Sequence, residues 1–162
     1  MSRAVTGVIF EIADPQGADA LALLRQAAIE ARALYPELHR PDAPWPTNPP
    51  TPVGGVYLVG YAGGEACVCG ALRPLDAQTV EIRRMFVLPA QRRQGLARAV
   101  LVELERHAAR LVARRMRLET GSRQHAAMAL YQACGFTRIP PFGEHVGDPW
   151  SVCFEKPVGV TR

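Results

Sequence analysis

Apolar and polar residues alternate along residues 7–13 (GVIFEIA), the two-residue period of a strand, and Asp14-Pro15 breaks the run. The period then changes. Leu21, Leu24, Ala28 and Ala31 recur at helical spacing and predict a helix over residues 19–34, ended by Pro36. Six prolines between His39 and Gly55 forbid regular structure, so this segment is read as a surface loop with Trp45 as a docking side chain. Three strand-like runs follow, at residues 56–61, 65–74 and 79–87. Gly63-Gly64 supplies a tight hairpin turn and residues 75–78 a second one, so an antiparallel meander is expected.

Pro89 stops the third run. A helix is predicted from Gly95 to about Arg114, with Ala97, Leu101, Leu104, Ala108 and Leu111 as its apolar stripe. Residues 116–120 read as a short strand broken by Gly121-Ser122. Residues 124–134 read as a helix with Ala127, Leu130, Tyr131 and Cys134 on one face and Gly135 as terminator. Phe136 opens another strand, residues 139–149 a loop, and residues 150–155 a last strand. Strands and helices interleaved around one sheet predict an α/β (α+β) fold, and a length of 162 residues predicts a single domain over 1–162.

Composition narrows the function classes. At 48% hydrophobic and 21% charged residues the chain is ordinary for a globular protein, which excludes global disorder. No apolar run approaches the ~18 residues of a membrane span, and the N-terminal stretch MSRAVTGVIFEIADP has no signal-peptide pattern. A cytoplasmic protein without a membrane partner is expected. The net charge of +4 favours an anionic ligand. Lys156 is the only lysine among 19 basic residues, so arginine abundance reflects codon usage as much as function. Arg106, Arg110, Arg114, Arg115 and Arg117 cluster, but Glu103 and Glu105 interleave and no recognition motif accompanies them, so no nucleic-acid partner is expected. Cys67 and Cys69, two apart in a strand, are expected on one face as buried small hydrophobes. Neither the cysteines nor the histidines show metal-ligand spacing, and no metal is expected.

The chemistry lies in residues 80–97, VEIRRMFVLPAQRRQGLA. A strand passes through a short turn into a helix that begins at a glycine. Such a junction aims free backbone N–H groups and the positive end of the helix dipole at one point, which suits a phosphate. Arg92, Arg93 and Arg98 add charge there. The common nucleotide fingerprints G-x-x-x-x-G-K-S/T and G-x-G-x-x-G are both absent.

Arg92-Arg93-Gln94-Gly95-Leu96-Ala97 fits the motif Q/R-x-x-G-x-G/A, it follows a strand ending Arg84-Met85-Phe86-Val87, and Ala129-Leu130-Tyr131-Gln132-Ala133-Cys134-Gly135-Phe136 fits A-L-Y-x-x-x-G-F. In these residues the chain resembles the GNAT superfamily of N-acetyltransferases, over roughly residues 56–156 and with the first helix fitting too. The resemblance implies a mixed, mostly antiparallel sheet whose fourth and fifth strands splay to form a cleft for acetyl-CoA, the acetyl donor. By the same resemblance the backbone N–H groups of Arg92, Arg93, Gln94, Gly95, Leu96 and Ala97 hold the pyrophosphate, beside Arg98. Met85 and Val87, flanking Phe86, offer hydrogen bonds to the pantetheine arm. Gln124 stands where family members often place an asparagine against that arm.

Direct transfer of the acetyl group to a primary amine, expected to be that of a small molecule, needs an acid for the leaving thiolate and a base for the amine. The resemblance assigns the acid to Tyr131 and the base to Glu81, fourteen residues before Gly95. Simple alternation puts Glu81 on the face of Met85, and a bulge in that strand, if present, would reverse this. Glu119, at the cleft mouth, is a candidate to orient the amine or relay its proton. His145, with Glu144 and Asp148, borders the acceptor side. A salt bridge between Glu81 and Arg83 is the structural alternative for that glutamate. Two other readings are a non-catalytic acyl-CoA-binding module and a protein N-acetyltransferase. The oligomer expected is a monomer or homodimer.

Overall fold

The computed structural model describes residues 7–159. Its strands are β1 (Ile9–Ile12), β2 (Val56–Ala62), β3 (Glu65–Pro74), β4 (Thr79–Val87), β5 (Arg115–Gly121), β6 (Thr137–Ile139) and β7 (Ser151–Pro157). Its helices are α1 (Ala18–Leu34), α2 (Leu96–Arg110) and α3 (His125–Ala133). The strands form one sheet in the order β1-β2-β3-β4-β5-β7-β6. The expected meander is present, and every neighbouring pair is antiparallel except β4 with β5.

The α2 and α3 face of the sheet carries the larger core. Leu58, Leu72, Leu104, Met116, Leu118 and Phe154 are almost inaccessible, each burial contributing about 1.5–3 kcal/mol. Gly70 lets α2 settle closely, since a Cβ there would stand 3.0 Å from Leu104 and 3.1 Å from Val100. On the other face Ala20 and Leu23 of α1 cover Tyr57, Val59, Cys69 and Ala71.

The parallel pair β4–β5 is short. It pairs residues 79–82 with residues 115–118 and then opens. Residues 83–87 stay with β3 and residues 119–121 with β7, so the expected splay is a property of the hydrogen-bond register. A β-bulge drives the divergence. Cys69 faces Phe86 while Ala71 faces Arg83, so β4 spends an extra residue there, with Arg84 in the left-handed region at φ +60°. Before the bulge Val80 and Ile82 join the α2 side. After it Met85 and Val87 do so, while Phe86 turns to the α1 side. The alternation that put Glu81 with Met85 is therefore reversed.

Three other expectations change. Cys67 and Cys69 pack on opposite faces, because a second bulge shifts the β2–β3 register between Gly60 and Tyr61. Both thiols are free and buried. Helix α2 ends at Arg110 rather than near Arg114. Val112 adopts φ +61° and donates to Ala109, while Ala113 donates to Ala108, closing the helix in the manner of a Schellman motif without its usual glycine. The proline-rich loop is not merely superficial. Asn48 is 2% exposed, gives Nδ2–H to the Pro15 carbonyl at 2.8 Å, and accepts from Arg84 Nε at 2.9 Å. Trp45 docks as expected, with the Arg25 and Arg32 guanidinium groups 3.9 and 3.8 Å from its ring centroid.

The end of α1 is fixed to the end of β5. Tyr35 Oη accepts the Arg123 backbone N–H at 2.9 Å and lies over Gly121. Arg123 in turn donates to the Leu34 carbonyl at 2.8 Å and pairs with Glu37 at 2.8 Å. Among the described residues no helix is long and apolar enough to cross a membrane.

Candidate active site

The turn from β4 into α2 holds Arg93 at φ +66° and Gly95 at φ +81°. These left-handed residues, the second a glycine as sterics prefer, turn the backbone so that the N–H groups of residues 93–98 find no acceptor among the described residues. They stand at the positive end of the α2 dipole. Beside them runs a groove of about 530 Å³, lined by Met85, Phe86, Val87, Arg92, Arg93, Gly95, Leu96, Ala97, Arg98, Gln124 and Tyr131. Every residue expected to hold the cofactor is on its wall except Gln94, which is exposed in the turn. Arg92 differs from the expectation that its charge serves an anion. It pairs with Glu30 of α1 at 2.8 Å and donates Nε–H to the Val87 carbonyl at 3.0 Å. Its role here is to tie α1 to the turn. Arg93, Arg98 and the row of N–H groups supply the positive potential, a donor set that fits a pyrophosphate.

Where β4 and β5 diverge, a polar hollow of about 280 Å³ opens, lined among others by Glu81, Arg84, Met85, Glu119, Gln124, Tyr131, Glu144 and His145. Met85, Gln124 and Tyr131 also line the groove, so the two spaces meet at these side chains. Tyr131 is placed by its ring, which packs between Phe136 and Phe154 with centroids 5.9 Å from each. Burial, and secondarily the negative charge of Glu119, pushes its phenol up to about 12. The hydroxyl makes no hydrogen bond among the described residues and is not sealed from solvent. Glu119 accepts from Ser151 Oγ at 2.6 Å.

Glu81 is 1% exposed and fully bonded. Oε1 accepts from Arg73 Nε at 2.8 Å, its cross-strand partner on β3, and Oε2 lies 2.9 Å from His145 Nε2. The anticipated partner Arg83 is farther, at 3.8 Å. Glu144 bridges Arg73 and Arg83 at 2.8 and 2.6 Å, and chiefly the Arg83 hydrogen bond holds its carboxyl below the usual range. Ligand-capable atoms of Glu81, Glu144 and His145 lie within 4.8 Å of one another, with the counter-charge supplied by the two arginines. Asp148 accepts the Trp150 backbone N–H at 2.9 Å as a turn residue, and His125 is exposed at the start of α3. Arg73, Arg84 and Ser151 were not anticipated. None left a readable signal, since the turn read over residues 75–78 would set Leu72 opposite Glu81, whereas the observed register pairs Arg73 with it.

The sequence model of the acetyltransferase (GNAT) family matches residues 15–136. The chain belongs to this family. Among curated GNAT relatives, the IAA acetyltransferase of Azospirillum brasilense is 35% identical over 103 residues, 63% of this chain and 67% of that protein. The uncharacterized N-acetyltransferase YsnE of Bacillus subtilis is 36% identical over 98 residues, 59% of this chain and 65% of that protein. The matched stretch thus spans about two thirds of those relatives. Among solved structures, a Klebsiella pneumoniae protein assigned as an acyl-CoA N-acyltransferase superposes with TM-score 0.74 at 32% identity, covering 93% of this chain and 99% of that one. A GNAT acetyltransferase of Elizabethkingia anophelis with acetyl-CoA bound superposes with TM-score 0.66 at 15% identity, over 93% and 98%, a likeness of fold.

Proposed function

We propose that this GNAT domain transfers the acetyl group of acetyl-CoA directly to a primary amine of a small molecule. One observation carries the reading: Tyr131 stands where a groove edged by free backbone N–H groups meets a hollow that holds Glu119 and the Glu81–His145 pair. The turn residues 93–98 bind the pyrophosphate through backbone N–H groups, and the groove orients the thioester toward Tyr131.

In the reaction the amine nitrogen bonds to the acetyl carbonyl carbon, and the carbon–sulfur bond breaks. The thiolate leaves with the phenolic proton of Tyr131. A phenol raised to about 12 remains protonated at neutral pH and is available as this acid. The amine's proton goes to the Glu81–His145 pair. Both Glu81 oxygens are already engaged, so the carboxylate acts through the imidazole, holding Nε2 and leaving Nδ1 as the basic nitrogen. Glu119 holds the incoming ammonium near Tyr131. The small volume of the hollow, about 280 Å³, favours a small amine over a folded protein surface.

The test is thermal unfolding with acetyl-CoA, CoA and ATP, followed by mass detection of product from an amine panel. A ligand at a hundredfold excess over its Kd stabilises by about 2.7 kcal/mol. Stabilisation by acetyl-CoA and CoA but not ATP, with acetylated product, is expected. No shift at millimolar acetyl-CoA overturns the reading, and a shift without product on any amine leaves a binding module in its place.

A further inference from the structure

Arg84 sits at the β4 bulge, where three hollows converge. It lines the polar hollow below Tyr131, an apolar hollow of about 380 Å³ between α1 and the proline-rich loop, and a third of about 340 Å³ under Asn48. Its left-handed backbone sends the side chain there in place of the next step of a regular strand. The other arginines at this end are spoken for. Arg73 and Arg83 are neutralised by Glu81 and Glu144. Arg32 gives Nη2 to the carbonyls of Ala43 and Pro44 at 3.0 and 2.9 Å. Arg84 has a neutral partner only, Asn48 Oδ1 at 2.9 Å from its Nε. Its two Nη groups make no hydrogen bond and no ion pair among the described residues. Burial and the neighbouring positive charge of Arg83 weigh against its charged form. A half-buried guanidinium fixed through Nε by a buried asparagine, with its two Nη groups open to solvent, presents a fork of donors that a planar anion fits.

We infer that Arg84 is the carboxylate-binding residue of the acceptor site, and that the acceptor is an α-amino acid with an apolar side chain. The inference rests on the proposed acetyl transfer and specifies its substrate class. In an α-amino acid the amine and carboxylate hang on one carbon. Arg84 and Met85 line both the polar and the apolar hollow, so a molecule centred there presents its amine toward Glu119 and Tyr131 and its carboxylate to the Arg84 fork. Its side chain then enters the apolar hollow, walled by Leu24, Ala28, Ala31, Pro44 and Phe86. Arg84 is a specificity residue in this arrangement. Proton transfer remains with Tyr131 and the Glu81–His145 pair.

The experiment compares L-leucine with L-leucine methyl ester and 3-methylbutylamine, which keep the amine and tail but lack the negative charge. Each is assayed for acetylation by product mass, with the wild-type protein, Arg84→Gln and Arg84→Lys. Binding of leucine is measured by calorimetry in the presence of CoA, and CoA-induced thermal stabilisation checks that each variant is folded. The expected wild-type result is leucine preferred in kcat/KM by roughly 10²-fold over both analogues without a carboxylate, because the site's donors are left unpaired by them. Arg84→Gln removes that preference through KM, with CoA stabilisation unchanged, and Arg84→Lys restores part of it. Equal use of leucine and the two analogues, or an unchanged preference in Arg84→Gln, overturns the amino-acid assignment while acetyl transfer stands. CoA stabilisation with acetylation of 3-methylbutylamine but not leucine overturns it too. Absence of CoA stabilisation in the wild type overturns the acetyl-transfer reading itself, and leucine binding by calorimetry then decides the Arg84 site separately.

Discussion

His145 Nε2 lies 2.9 Å from Glu81 Oε2, joining the loop before β7 to the middle of β4 across 64 residues of sequence. The contact makes the imidazole, itself 12% accessible, the less buried end of the pair, against 2% for the carboxylate. On the proposed mechanism His145→Ala and Glu81→Gln each lower kcat by roughly 10²-fold. A normal kcat in both variants would place the base elsewhere, with Glu119 the next candidate.

Tyr131→Phe keeps the ring between Phe136 and Phe154 and removes only the hydroxyl proposed as the acid. The expected result is a fall in kcat of about 10²-fold or more with the KM for acetyl-CoA little changed. Steady-state kinetics with an acceptor saturating for both proteins checks it. A normal kcat would reduce Tyr131 to a packing residue.

The same phenol carries an alkaline stability signature. Below pH 10 it is neutral folded and unfolded, so it adds no pH dependence. Above pH 10 the unfolded chain ionises, while the native phenol holds its proton until about 12. The native state then binds more protons than the unfolded state, and stability falls as pH rises across that window, by on the order of 2 kcal/mol for this group. Buried Cys69, pushed up to about 12 from an ordinary 9.0 by desolvation, acts in the same direction from a lower starting pH. Urea midpoints measured between pH 8 and 11 should decline, and less steeply in Tyr131→Phe.

Val112 is a β-branched residue at φ +61°, 79% exposed, at the close of α2. It makes the helix-ending bonds at a steric cost that glycine avoids. Val112→Gly is expected to stabilise the protein by about 1 kcal/mol, read as a higher urea midpoint at unchanged m-value.

Gly121 illustrates the opposite case. A Cβ there would stand 2.1 Å from Tyr35 Oη, against the ring that anchors α1 to β5. Gly121→Ala must displace Tyr35 and break its hydrogen bond with the Arg123 N–H, a destabilisation of about 1–3 kcal/mol. Restored stability in the double variant Gly121→Ala, Tyr35→Ala relative to Tyr35→Ala alone would show that the clash is the cause.

Local chemistry by itself determined the element order, the meander and the glycine-containing turn from β4 into α2. Hydrophobic period, proline and glycine placement act over a few residues, and the run from Arg92 to Ala97 carries its geometry in its own backbone preferences. The same short-range signals placed Tyr131 on a helix face that packs inward. What they did not contain is register. The bulge at Arg84 arises from how β3 and β4 align, and it decides that Met85 leaves the face of Glu81 and that Arg84 lines the polar hollow. The bulge in β3 likewise separates Cys67 from Cys69. The site's charge pattern was equally out of reach. Arg92 answers to Glu30, Arg73 and Arg83 to Glu144, and Glu81 to His145, each pair brought together by packing over distances that no local pattern encodes. Which arginines are neutralised and which keep no acidic partner is therefore a property of the tertiary structure, because pairing of charges depends on proximity in space and not on order along the chain.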